Sequence, residues 1–267
     1  MKARLYIICV AVVACMAAWG QQKLVVLHTN DTHSTIMPLS RNLGDTMLAG
    51  RGGYLRRMEL LRRERAAEPG LLLFDSGDFS QGSPYYTLFK GDVEVELMNR
   101  MGYDAATIGN HEFDFGLDNL ARLLRKAEFP VVCANYDFSG TPVAGLVKPY
   151  VILHRNGLKI GVFGVSPRLE GLVAADNYRG VGYTDPVEAA RSTARLLKRQ
   201  KHCDVIVCLS HLGWPWVDEL CMLLLKYPNV YTDTATVFMD SPKNYYEQIF
   251  LKNMAPGWLQ NNLMDKV

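Results

Sequence analysis

The chain has 267 residues, 49% of them apolar and 21% charged, with a formal net charge of +2. This composition supports one large or two small globular domains around a sizeable core. It excludes a general nucleic-acid or anionic-membrane surface, because that charge belongs to the first few residues. Lys2 and Arg4 precede an apolar run from Leu5 to Ala18 and small residues at Ala18 and Gly20, the layout of a secretory signal peptide over residues 1–20. The run is too short to favour a transmembrane segment. Cleavage is expected after Gly20. The alternative is a lipoprotein signal, in which Val12–Cys15 resembles a lipobox and Cys15 carries the lipid. Without its two basic residues the exported chain holds 27 basic and 27 acidic residues.

Beyond the leader, short apolar runs alternate with helical patterns. Lys23–Thr29 reads as a strand and Gly53–Glu68 as a helix with a solvated basic face. Leu71–Asp75 reads as a strand, Asp92–Met101 as a helix and Asp104–Gly109 as a short strand. Leu117–Ala127 reads as a helix and Pro130–Asn135 as a strand. Tyr150–Val165 reads as a hairpin, since Asn156-Gly157 suits a tight primed turn between two apolar runs. Asp185–Gln200 reads as a helix with Asp185 as N-cap and Pro186 in its first position. Cys203–Ser210 closes the series as a strand. The alternation predicts an α/β domain with a largely buried sheet. The cysteines show no C-x-x-C spacing, so buried free thiols are expected.

In such sheets ligands gather beyond the carboxyl ends of the strands. The polar clusters of this chain fall there: "HTNDTH", "DSGD", "GNHEFD" and "SH" follow four of the strands. Asp31 and His33 alternate, so an extended segment points both the same way. Asp78 follows Gly77, which lets a carboxylate approach a cation without crowding. Mixed Asp, His and Asn donors suit two divalent ions such as Zn, Mn or Co, and a single carboxylate can bridge them. Asp78 is the expected bridge. Glu112 reads as a surface charge, and His28, His154 and His202 as structural residues.

The order of "HTNDTH", "DSGDFSQGSPYY", "GNHEFDFG" and "CLSHLG", with "RGGY" and "CANYDF", resembles the metallophosphatase domain of the 5'-nucleotidase family, within the calcineurin-like phosphoesterases. The likeness runs from about Lys23 to Gly213. It implies a metallophosphoesterase-type α/β/β/α sandwich and hydrolysis of nucleotides or related small phosphate esters by water activated between two divalent ions. It implies Asp31 and His33 on the first metal, Asp78 on both, and Asn110 and His211 on the second. It implies a catalytic pair in which His111 acts on the phosphoryl oxygens or leaving group and Asp114 orients it. A carboxylate beside an imidazole fixes its tautomer and favours a cation facing phosphate.

The family pattern also has a G-H-x-H that adds one ligand to each metal, and a base-binding C-terminal domain. No histidine follows His211, and 54 residues follow Gly213. The second sheet is therefore expected to be incomplete and the site impaired. Residues 214–267 read as an unrelated α/β tail of helix, short strand and helix. The stretch from His211 to Asp233, extending towards Phe250, resembles a fragment of an amidohydrolase. Asp218, Glu219, Asp233 and Asp240 are the carboxylates there that could stand in as ligands. Three readings follow: an exported phosphomonoesterase, a non-catalytic relic with a partial metal site, and, more distantly, an amidohydrolase.

Overall fold

The computed structural model describes residues 23–44 and 46–210. The leader, His211 and the tail 214–267 lie outside the described residues, and so do the expectations attached to them. Within this span five parallel strands form the first sheet in the order β1 (Val26–Thr29), β2 (Leu72–Asp75), β3 (Ala105–Ala106), β4 (Val131–Val132), β6 (Val147–Lys148). A second sheet runs β10 (Val205–Leu209), β8 (Leu158–Gly164), β7 (Val151–Arg155), with β10 parallel and β7 antiparallel to β8. A small antiparallel pair joins β5 (Tyr136–Asp137) to β9 (Gly182–Tyr183).

The two larger sheets pack face to face. Alternate residues of β2 point to opposite sides: Leu72 and Phe74 meet Ile160, Val162 and Leu209 of the second sheet, whereas Leu71 and Leu73 face the helices. Both faces are buried, which is why this strand is an unbroken apolar run. Each such side chain contributes about 1.5–3 kcal/mol by leaving water. The outer face of the first sheet is covered by α3 (Asp92–Met101), through Val95, Met98 and Met101, and by α4 (Gly116–Lys126), through Leu117, Leu120, Ala121 and Leu123. Helix α1 (Tyr54–Ala67) packs at one edge and buries only Leu61. Helix α5 (Pro186–Arg195) and the π-helical turn Leu196–Gln200 after it cover the second sheet. There Leu197 fits against Gly161, where a Cβ would meet its Cδ2 at 2.9 Å. The layers are helix, sheet, sheet, helix, as expected.

Local signals in the sequence map onto this frame. Asp185 caps α5 by accepting from the Val187 and Glu188 N–H groups, both at 3.0 Å. Asn156 and Gly157 both stand at positive φ, 50° and 77°, as a primed hairpin turn requires. Cys133 and Cys203 are buried free thiols, whereas Cys208, also free, is exposed, against the expectation. The short helix α2 (Pro84–Phe89), capped by Ser83, was not evident in the sequence.

At the end of β2 the buried Asp75 accepts from Thr29 Oγ1 at 2.6 Å and from the Gly77 N–H at 2.9 Å. Burial pushes its pKa up to about 7, against those two hydrogen bonds. An unfolded aspartate titrates near ~3.9, so between roughly pH 4 and 7 the native state holds a proton that the unfolded state has released. Stability from this group therefore falls as pH rises through that window, by on the order of a few kcal/mol. Thermal unfolding of Asp75→Asn is expected to be flatter than wild type from pH 4 to 7. An identical pH slope in both proteins would show that Asp75 is already ionised in the fold.

Candidate metal centre

Past the sheet edge the backbone pairing of β1 with β2 continues. Gly77 O accepts from Asp31 N at 3.0 Å, Asp78 O from His33 N at 3.0 Å, and Phe79 O from Ser34 N at 2.9 Å. These bonds hold the two loops side by side while Asp31, His33, Ser34 and Asp78 sit at φ of 47°, 41°, 52° and 53°. The left-handed region costs a residue with a side chain roughly 1–3 kcal/mol. The sequence expectation of an extended, alternating Asp31–His33 segment is thus corrected. The two side chains converge because the chain turns through left-handed residues that the neighbouring loop holds in place.

The result is a compact donor set. One ligand atom each from Asp31, His33 and Asp78 lies within 4.8 Å of the others. Asp78 is buried, and the other two are half-buried. His33 Nε2 lies 3.5 Å from Asp31 Oδ1, and Asn30 Nδ2 donates to Asp31 Oδ2 at 2.9 Å. His33 Nδ1 is buried with no hydrogen-bond partner among the described residues. The Asp31 carboxylate raises the His33 pKa against the opposing effect of burial, with Asp78 adding to it. Two carboxylates and an imidazole with an orphaned nitrogen fit a divalent cation, which would compete with that proton.

The loop after β3 closes the site from the other side. Gly77, at φ 97°, lies against Gly109: a Cβ on Gly77 would meet Gly109 N at 2.5 Å. A Cβ on Gly109 would in turn lie 2.0 Å from Asp78 Oδ1, so the close approach leaves room only for hydrogen. Asn110 is half-buried and leads into a 3-10 turn, His111–Phe113. The His111 N–H donates to Asp78 Oδ1 at 2.9 Å. The His111 ring stands edge-on to the His33 ring, centroids 5.2 Å apart. Its Nδ1 lies 3.1 Å from Asp114 Oδ2. Asp114 is itself tied down, its carbonyl accepting from Asn177 Nδ2 at 2.8 Å. The structure therefore brings Asp31, His33, Asp78, His111 and Asp114 together, with Asn110 beside them in the chain. His211 lies outside the described residues.

Glu112 overturns its expectation as a surface charge. It is 1% exposed and accepts three backbone N–H bonds: Asp78 at 3.0 Å, Ser80 at 3.1 Å and Gly109 at 2.7 Å. Burial first, and the Asp78 charge second, push its pKa up, while the three N–H bonds pull it down. A second interior network supports the β3 loop. Asn135 Oδ1 accepts from Ser166 N at 2.9 Å, and the Ser166 hydroxyl donates to the Ile108 carbonyl. Neither group stood out in the sequence, since each bonds to residues far away along the chain.

A two-sheet α/β sandwich with Asp, His and Asn donors at its carboxyl edge defines a metallophosphoesterase. Residues 24–233 match the calcineurin-like phosphoesterase family, and the chain belongs to it. Among its relatives, the probable 5'-nucleotidase of Treponema pallidum (strain Nichols) is 34% identical over 199 residues, covering 73% of this chain and 33% of that protein. The human 5'-nucleotidase is 33% identical over 203 residues, covering 74% and 35%. The crystal structure of the 5'-nucleotidase precursor from Thermus thermophilus superposes with a TM-score of 0.65 at 34% identity, covering 74% of this chain and 38% of that one. The chain thus spans about a third of the length of the relatives it matches.

Proposed function

We propose that residues 23–213 form the metallophosphatase domain of an exported, 5'-nucleotidase-type phosphomonoesterase, acting on nucleotides or related small phosphate esters. The observation that carries this reading is the His111–Asp114 pair set edge-on against His33 of the Asp31–His33–Asp78 cluster. An imidazole paired with a carboxylate next to a cluster of possible cation ligands suits phosphoester hydrolysis. Asp31 and His33 would hold one divalent ion, Asp78 both, and Asn110 with His211 the second, with Zn, Mn or Co as the fitting metals. When bound, the ions supply Lewis-acid charge neutralisation and an activated water.

The chain's own groups supply the rest. With Nδ1 paired to Asp114, the other ring nitrogen of His111 is the one left to face a phosphoryl oxygen or the departing alkoxide. Asp114 orients the ring. Export rests on the 1–20 leader pattern, directing the chain to the periplasm or outside, with acylation at Cys15 as the alternative. No helix among the described residues is long and apolar enough to cross a membrane. Residues 214–267 are proposed as the amidohydrolase-like tail, although the calcineurin-like match continues into them as far as residue 233. Because they hold no histidine, the 267-residue chain by itself is proposed to be impaired. The second reading is a non-catalytic chain with a partial metal site.

The test is turnover of p-nitrophenyl phosphate alongside bound metal, for wild type and His111→Asn. The replacement is expected to lower residual turnover about 100-fold or more while leaving metal content unchanged. Loss of metal in His111→Asn would show that the division between ligands and catalyst is wrong. No phosphatase activity at any metal loading would favour the non-catalytic reading.

A further inference from the structure

We infer that Glu112 is the positioning residue of the metal centre: its buried carboxylate fastens the loop after β2 to the loop after β3 and so aims Asp78. This rests on the metal-centre reading above. The bonds to Asp78, Ser80 and Gly109 come from both loops and converge on one side chain. The clamp is reciprocal. The side chain of Glu112 holds the backbone of Asp78, and the backbone of the preceding residue, His111, holds the carboxylate of Asp78. A residue at φ 53° relaxes unless its surroundings enforce that conformation. Glu112 supplies such enforcement by accepting from the Asp78 N–H. Gly109, which packs on Asp78 with no space for a Cβ, is held by the same carboxylate. Releasing Glu112 therefore loosens both walls of the site at once, with no group that touches the cation removed.

Carboxylate chemistry explains the choice of residue. Three N–H donors need an acceptor on both oxygens, two on Oε2 and one on Oε1. Glutamine preserves the shape but turns an N–H donor towards one of those donors, so at most two bonds survive. Alanine removes all three.

The experiment titrates cobalt(II) into the metal-free chain and its Glu112→Gln and Glu112→Ala variants, following the visible absorption. Hydrogen exchange of residues 77–81 is measured without metal. Affinity is expected to fall in the order wild type, Gln, Ala, by about 10-fold and about 100-fold. Exchange at residues 77–81 should speed up in both variants while β2 and β8 stay protected. Unchanged cobalt affinity in Glu112→Ala would overturn the proposal. So would loss of cooperative unfolding in both metal-free variants, which would make Glu112 a residue of the fold at large. Asp78→Asn is the control. If it too binds cobalt like wild type, the metal-centre reading fails. If it alone loses affinity, only the role of Glu112 fails.

Discussion

Replacing Asp78 by Asn is expected to cost the protein more bound metal than any other single substitution in the site. Asp78 is the most buried of the three clustered donors, at 4% exposure. Its place between the Asp31–His33 turn and the Asn110–His111 turn suits the bridging role proposed for it. Asparagine preserves its volume and an oxygen but removes the negative charge that two cations would share. Loss of a group that merely supports a ligand typically costs ~10–100-fold in affinity. Loss of the shared ligand should exceed that at both positions. Metal per chain after dialysis at fixed free metal is the measurement. If Asp78→Asn keeps its metal while Asp31→Asn and His33→Asn lose theirs, Asp78 is not the bridge.

The 267-residue chain by itself is expected to hold fewer than two tightly bound ions and to turn over phosphate esters poorly. Residues 214–267 contain no histidine, so a polypeptide of these 267 residues alone carries no G-H-x-H. Substituting a family-type segment bearing G-H-x-H for everything after Gly213 should restore a second ion. It should also raise turnover of simple phosphate esters at least ~10–100-fold. Two ions per unmodified chain, with nucleotide turnover matching an intact relative, would mean that the tail supplies ligands of its own. Asp218, Glu219, Asp233 and Asp240 would then be the first to replace.

The parts of this protein that were legible in the sequence are those governed by local physics. The apolar run of β2, the Asn156-Gly157 turn and the Asp185 cap each depend on a handful of adjacent residues. The donor residues were legible because Asp, His and Asn clusters at strand ends are chemically unusual. What escaped depends on distant partners. Strict alternation along residues 31–33 fails because backbone bonds to residues 77–79 impose left-handed turns. Glu112 looked like a surface charge because its three partners lie at positions 78, 80 and 109. Even its near neighbour Gly109 contributes through the loop's fold, not through any sequence pattern. Strands β3 and β4 have only two residues each, shorter than the apolar runs that predicted them.

The backbone ladder that carries β1–β2 pairing beyond the sheet has a bearing on how the site meets its cation. Three backbone bonds tie the two donor loops together just beyond the sheet, so the spacing of the donors is tied to the sheet's edge. Opening the cluster would require unzipping a lattice anchored in the core, and little conformational freedom remains for a cation to quench. Arrival of an ion is thus expected to need little rearrangement of the two loops.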